Sequence, residues 1–137
     1  MKVLIDTNIL MDVLANREGF AEPASQLFKL CEVGQVQGFV YALSIANIAY
    51  IMRKELDRSQ IEEVISKLGA IFTITDMKAD DLKKAAIQSI DDYEDALQSV
   101  CASRIKADFI ITRNLKDFKS SKVMAIKPSE LIERMSE

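Results

Sequence analysis

Two patterns of hydrophobic and polar positions alternate along the chain. Short apolar runs bounded by polar residues predict buried strands, and apolar residues recurring every three or four positions predict amphipathic helices. The predicted strands cover residues 3–5, 39–41, 71–75, 109–111 and 123–126. The predicted helices cover residues 8–14, 21–33, 44–54, 59–69, 79–90, 96–106 and 128–135, with Ser44 and Ser59 as N-caps and Gly34 and Gly69 as stops. This alternation predicts an α/β fold with a parallel sheet covered on both faces.

Composition is typical of one globular domain spanning residues 1–137. Of the 137 residues, 49% are apolar and 28% are charged. The apolar run at the start is too short for a signal peptide or a membrane span, so we expect a cytoplasmic protein with no membrane contact. Cys31 and Cys101 lie in apolar helical patterns and are predicted to be reduced core residues.

The absence of histidine narrows the possible chemistry. With no histidine in the sequence, Ser-His and Cys-His catalysis and histidine-bound zinc are excluded. None of the four glycines belongs to a phosphate-binding loop. The net charge of −3 gives no general attraction for nucleic acid, so polyanion binding would need local basic residues or metal ions. Two aromatic side chains near an RNA surface would not be expected to form a stacking platform. If the protein is an enzyme, carboxylate side chains and a hard metal cation are the groups that remain to carry its chemistry.

Acidic and polar side chains follow the first and fourth predicted strands and open one helix. Asp6, with Thr7 and Asn8, directly follows residues 3–5, at the edge of a parallel sheet where sites gather. A helix cap explains the same residues equally well. The acids of the second stretch are Asp91, Asp92, Glu94 and Asp95. They start the helix 96–106, where a metal-ligand role competes with capping and with the favourable helix dipole.

The third stretch follows the strand 109–111. Thr112, Asn114 and Asp117 carry oxygen-bearing side chains where this strand ends. A turn followed by a short capped helix, anchored by Phe118, is the structural alternative.

Together, three segments resemble the PIN domain family. They are Leu4-Ile5-Asp6-Thr7-Asn8, Tyr93-Glu94-Asp95-Ala96-Leu97-Gln98, and the run from Ile110 to Phe118 that contains Thr112-Arg113-Asn114-Leu115-Lys116-Asp117. The resemblance spans essentially the whole chain and is greatest to the VapC-type, toxin-like PIN proteins of prokaryotes. It implies a three-layer α/β/α sandwich with a central parallel sheet of about five strands. It also implies an Mg²⁺- or Mn²⁺-dependent ribonuclease, a small antitoxin partner and a homodimer.

The resemblance assigns roles to individual residues. Asp6, Asp95 and Asp117 would be catalytic metal ligands, with Glu94 as a further ligand. The surrounding polar side chains would be Thr7, Asn8, Ser44, Asn47, Asp92, Thr112 and Asn114. Contacts to RNA phosphates would come from Arg53, Lys54, Arg113 and Lys116, for which solvated surface charge is the alternative.

Two positions depart from the family pattern. Asn47 stands near the place of a glutamate, and Asn114 stands at the usual final aspartate, leaving Asp117 to replace it. Each amide removes one charge from a site for a hard cation. A PIN fold that binds RNA or a protein without cutting is therefore a second hypothesis. A haloacid-dehalogenase-type phosphatase is a third, but its opening Asp-x-Asp would require an acid at Asn8.

Overall fold

A five-stranded parallel sheet forms the centre of the computed structural model, which describes residues 1–136. The strands are β1 (Lys2–Ile5), β2 (Gln37–Tyr41), β3 (Thr73–Thr75), β4 (Phe109–Ile111) and β5 (Ala125–Ile126), in the order β3-β2-β1-β4-β5. Every neighbouring pair is parallel, and Leu4 in β1 is in register with Phe39 on one side and Ile110 on the other. The chain moves outward from β1 to β3, then returns to the other side of β1. The order of strands therefore reverses between β1 and β4, and such switch points open a crevice at the carboxyl edge.

Helices cover both faces of this sheet. They are α1 (Thr7–Leu14), α2 (Ala21–Glu32), α3 (Ala42–Met52), α4 (Arg58–Ile71), α5 (Ala79–Ala86), α6 (Tyr93–Arg104) and α7 (Pro128–Met135), with a 3-10 helix at Leu115–Phe118. Val3 and Ile5 pack in one core cluster with residues of α1, α2 and α7, whereas Leu4 packs in a second cluster with α6. The alternating side chains of β1 thus enter two cores, and the predicted α/β/α sandwich is confirmed.

Two predicted N-caps are wrong, and α6, predicted to begin at Ala96, begins at Tyr93. Ser44 is not an N-cap, because α3 begins at Ala42, and its side chain is fully buried within the first turn. Ser59 lies inside α4, which is capped by Asp57. The Asp57 carboxylate accepts a hydrogen bond from Gln60 N (2.8 Å) and Gln60 Oε1 accepts one from Asp57 N (2.9 Å). This reciprocal capping box satisfies two backbone donors, which a single serine cannot do.

Helix ends were less predictable than helix centres. Gly34, with a φ of 81°, follows α2 as predicted, but Gly69 does not stop α4, which continues to Ile71. Ile71, predicted to begin the third strand, therefore belongs to the end of α4, and the predicted helix 79–90 ends at Ala86. The described residues contain no helix long and apolar enough to cross a membrane. Cys31 and Cys101 are buried free thiols, as predicted, and burial raises the pKa of each to about 12.

Candidate active site

Asp6 lies at the switch point between β1 and β4. Its backbone N–H continues the sheet by donating to Ile111 O (3.0 Å), and its carboxylate Oδ2 accepts a hydrogen bond from Thr112 Oγ1 (2.8 Å). Asp6 precedes α1 but makes no side-chain capping hydrogen bond. Its side chain is only 5% exposed, and this burial raises its pKa against the opposing effect of Thr112. A buried carboxylate with one hydroxyl donor still needs a cation or a proton nearby.

Asp95 projects from the first turn of α6 towards Asp6. The carboxylate of Asp92 caps this helix by accepting from Asp95 N (3.0 Å), which leaves the Asp95 side chain outside the capping interaction. The pKa of Asp95 is raised to about 7, first by burial and then by the negative charges of Asp92, Asp6, Asp117 and Glu94. Acids from three separate parts of the chain are therefore close enough to oppose one another's ionisation.

These acids line one open pocket of about 460 Å³, here called the carboxylate pocket. Its lining residues are Asp6, Thr7, Asn8, Asn47, Tyr50, Ile51, Asp92, Glu94, Asp95, Gln98, Asn114 and Asp117. Most residues that the sequence singled out are present. Thr112 and Ser44 are fully buried behind the pocket. Thr112 donates a hydrogen bond to Asp6, and Ser44 accepts one from Thr7. The four predicted phosphate-binding cations do not line it.

The basic side chains lie around the carboxylate pocket. Arg53 stacks on the ring of Tyr50, with its Cζ 3.6 Å from the ring centroid, and Lys54 is an exposed neighbour. Lys116 lines a separate surface depression together with Asn114 and Asp117. Arg113 forms a bidentate salt bridge with the buried carboxylate of Asp12. A role in phosphate contact remains a prediction for all four cations.

Gln98 is a site residue that sequence reasoning missed. Its Nε2 donates to Ser44 Oγ (2.8 Å), which also accepts from Thr7 Oγ1 (2.7 Å). Gln98 Oε1 is the one buried side-chain oxygen or nitrogen within residues 1–136 that has no hydrogen-bond partner. A signal was present, because Gln98 follows Asp95 by three residues and so lies on the same face of a helix. Tyr50, one turn after Asn47 on α3, was missed in the same way.

The two asparagines occupy different settings. Asn47 Nδ2 donates to Glu94 Oε2 (3.4 Å), so the amide joins α3 to the start of α6 without adding negative charge. The backbone N–H of Asn114 donates to Thr112 Oγ1 (3.1 Å), and its exposed side chain remains at the pocket wall. Both asparagines line the carboxylate pocket, and each gives it one negative charge fewer than the acid of the family pattern would.

The donor set fits a hard divalent cation. Carboxylate and amide oxygens are the ligands of Mg²⁺ and Mn²⁺, and the unpartnered Gln98 Oε1 is an acceptor that a hydrated ion would satisfy. Within residues 1–136, however, no group of three acidic or cysteine side chains is arranged to hold a metal ion. Mg²⁺ is commonly held by one or two carboxylates and several waters, an arrangement that does not require three acidic side chains.

Comparison with known proteins identifies the family. The sequence profile of the PIN domain matches residues 2–116, most of the chain. The chain belongs to the PIN domain family. This membership confirms the resemblance seen in the sequence and leaves the haloacid-dehalogenase alternative without support. No curated protein matched the sequence.

Solved structures share the fold of this PIN domain. VapBC2 from Rickettsia felis, bound to a DNA fragment from its promoter, gives a TM-score of 0.72 at 16% identity, covering 93% of this chain and 98% of that one. A toxin–antitoxin complex from Klebsiella pneumoniae gives 0.70 at 23% identity, covering 92% and 97%. PAE2754 from Pyrobaculum aerophilum gives 0.67 at 16% identity, covering 99% and 96%. At these identities the similarity establishes the architecture.

Proposed function

We propose that this PIN domain is a metal-dependent endoribonuclease that hydrolyses RNA phosphodiester bonds in the cytoplasm. The observation that carries the proposal is the convergence of Asp6 and Asp95 on one pocket at the switch point of the sheet. They come from different elements, and the negative charge of Asp6 contributes to the raised pKa of Asp95. Perturbed acids in a cleft are typical of functional sites.

Asp6 and Asp95 would hold Mg²⁺ or Mn²⁺, with Asp117 and Glu94 as further acidic ligands that act through bound water. When bound, such an ion supplies Lewis-acid chemistry, activating water and neutralising charge on the phosphate. The protein's own contribution is positional. Thr112 fixes one oxygen of Asp6 through its 2.8 Å hydrogen bond, and Asp92 caps α6, so that Asp95 is available to a ligand.

The test is cleavage of a fluorescent single-stranded RNA with Mg²⁺ and with Mn²⁺. We expect the wild-type protein to cleave this RNA, and we expect Asp6→Asn and Asp95→Asn to abolish the cleavage. Asp91→Asn is the matched control, because Asp91 is an exposed aspartate near the same helix that does not line the pocket. Equal activity in wild type and both site variants would indicate a contaminating nuclease and contradict the proposal.

Metal binding has a readout that is independent of cleavage. Mn²⁺ should raise the melting temperature of the EDTA-treated wild-type protein, because an ion bound only by the folded state stabilises it. Asp6→Asn and Asp95→Asn should reduce this shift, whereas Asp91→Asn should retain it. A shift that is the same in all four proteins would place the ion elsewhere.

The physiological proposal is that of a toxin neutralised by a small antitoxin. Its support is the resemblance to VapC-type proteins, together with neighbouring structures that were solved as VapBC2 and as a toxin–antitoxin complex. Induced expression should arrest growth, Asp6→Asn should relieve the arrest, and co-expression of the antitoxin encoded by an adjacent gene should do the same. Growth unaffected by the wild-type protein would count against a toxin.

A homodimer is proposed on the same resemblance. Exposed apolar side chains such as Ile87, 84% exposed, and Tyr50, 65% exposed, supply surface of the kind that protein contacts cover. Light scattering coupled to size exclusion should give twice the 15.4 kDa mass of the chain. A mass of one chain at micromolar concentration would reject the dimer.

A binding protein without nuclease activity is the second candidate. Asn47 and Asn114 in the pocket, and the lack of a three-acid group among the described residues, favour it. The cleavage assay separates the two functions when it is paired with RNA binding measured by fluorescence anisotropy. RNA binding by a wild-type protein that cuts with neither ion would establish the binding function instead.

A further inference from the structure

We propose that a second pocket, beside the carboxylate pocket, binds a nucleotide of the RNA substrate next to the phosphate that is cleaved. This inference rests on the proposed function. The second pocket, here called the flanking pocket, measures about 420 Å³ and is lined by Asp12, Gly19, Phe20, Pro23, Arg113, Asn114, Lys127, Pro128 and Ser129. Its volume lies within the roughly 300–1,000 Å³ of small-molecule sites.

The two pockets adjoin and lie at the same edge of the sheet. Asn114 lines both of them. It follows β4, Lys127 directly follows β5, and Asp6 directly follows β1. Because the carboxyl ends of parallel strands meet at one edge, an extended strand of RNA can run from Asp6 across β4 to β5 without leaving this edge.

Arg113 is held in a fixed orientation in the flanking pocket. Its Nε and Nη2 donate to the two carboxylate oxygens of Asp12 at 2.8 and 3.0 Å, and Arg17 adds a third contact at 3.3 Å. Asp12 is fully buried. A buried ion pair is weak evidence for added stability. Here it holds the guanidinium plane of Arg113 against the ring of Phe20, with 3.9 Å between Cζ and the ring centroid.

Phe20 provides a surface for a nucleobase. It is 45% exposed although it is a large apolar side chain at the mouth of a pocket. Exposed aromatic rings and arginine planes are the groups on which single-stranded bases stack. The sequence predicts no stacking platform. The contact between Phe20 and Arg113 depends on the salt bridge of Arg113 to Asp12 in α1, and the local sequence does not show that salt bridge.

Charge also favours an RNA strand in this position. Five carboxylates line the carboxylate pocket and repel a polyanion. Arg113 and Lys127 line the flanking pocket, and both of them, with Lys116 and Asp117, also line a depression that shares residues with the two pockets. Because Arg113 is already paired with Asp12, Lys127 and Lys116 are the cations that RNA phosphates would contact in this chain of net charge −3.

The test measures RNA binding and cleavage separately. Binding of a labelled 12-nucleotide single-stranded RNA is measured by anisotropy in an Asp95→Asn background, and cleavage in an otherwise wild-type background. Phe20→Leu should weaken binding about tenfold and Phe20→Trp should retain it, because stacking needs a ring. Lys127→Gln should reduce the slope of log Kd against log salt by about 0.7, the value of one phosphate contact on a single strand. Lys122→Gln, an exposed lysine outside both pockets, is the matched control.

The outcomes distinguish this inference from the proposed nuclease. If RNA is cut and bound, but Phe20→Leu and Lys127→Gln behave like Lys122→Gln, the flanking pocket is not a nucleotide site and the nuclease stands. If the variants weaken binding as expected and nothing is cut, the nuclease fails and the flanking pocket remains an RNA site. If the protein binds no RNA, the inference is overturned.

Discussion

Replacing Asp95 with asparagine should stabilise the metal-free protein at alkaline pH. In the folded state the Asp95 carboxylate is partly buried and faces other negative charges, which raises its pKa to about 7 from the ordinary value of 3.8. The folded protein therefore holds a proton that the unfolded chain releases between these two pH values. By linkage, wild-type stability falls as pH rises from about 4 to about 7, because ionisation is easier in the unfolded chain.

The size of the effect follows from this difference in pKa. A change from 3.8 to about 7 corresponds to about 4 kcal/mol at pH 8, at roughly 1.4 kcal/mol for each pH unit. The carboxylate pocket is open to water, and solvent screening reduces this value. We therefore expect Asp95→Asn to raise the free energy of unfolding by about 1–2 kcal/mol at pH 8. At pH 5 the gain should be smaller than at pH 8, since part of the carboxyl is then protonated in the folded wild type.

Urea unfolding in EDTA at pH 5 and pH 8 measures both values. Asp91→Asn is the control for loss of one negative charge outside the pocket, and we expect it to change stability by less than about 0.5 kcal/mol. The reasoning is refuted if Asp95→Asn is no more stable than wild type at pH 8. It is also refuted if the gain is equal at the two pH values, because a pH-independent gain would come from packing and not from charge.

Three further substitutions, each measured by urea unfolding, test the packing at two glycines and the salt bridge between Asp81 and Arg104. Gly38→Ala should cost about 1–3 kcal/mol, because its Cβ would lie 2.7 Å from the ring of Phe72 in a filled core. Gly69→Ala should gain about 0.5–1 kcal/mol, because its Cβ meets nothing closer than 3.8 Å within α4 and alanine favours a helix. Asp81→Asn should cost about 3 kcal/mol at pH 7, because Arg104 donates to both oxygens of this buried carboxylate at 3.0 and 2.9 Å. Burial alone would raise the pKa of Asp81, but these hydrogen bonds lower it, so the loss should shrink as pH falls below 3.8.

Local patterns were sufficient to predict the sheet and most of the helices. A strand such as β1 is apolar on both faces because it is buried between two helical layers, and this property is visible in three consecutive residues. The position of Asp6 at the end of that strand also follows from local sequence. Helix boundaries depend on competition between neighbouring caps, and the structure has Asp57 as the cap of α4 where the sequence predicts Ser59.

Side-chain contacts between distant segments were not predictable in this way. The salt bridge between Asp12 and Arg113 joins residues 101 positions apart, and no sequence pattern around either residue predicts contact with the other. Gln98 and Ser44 are 54 positions apart, and their hydrogen bond depends on the packing of α6 against α3. Local sequence does not show this contact either. Sequence reasoning thus identified the acids and most of the neutral polar side chains around them, and it missed Gln98 and Tyr50.

The charges at the carboxyl edge of the sheet form two regions of opposite sign. No cation is among the residues that line the carboxylate pocket, where the charge of Asp6 raises the pKa of Asp95 and the charge of Asp117 raises that of Asp6, so this pocket favours a proton or a metal ion. The flanking pocket presents Lys127, which lacks an anionic partner among the described salt bridges, and Arg113, which is paired with Asp12. Under the proposed function, RNA and a divalent ion together would satisfy both regions, because phosphates would pair with the cations and the acids would hold the ion. Neither ligand alone balances both regions, which is the electrostatic reason to expect that the ion and RNA bind together.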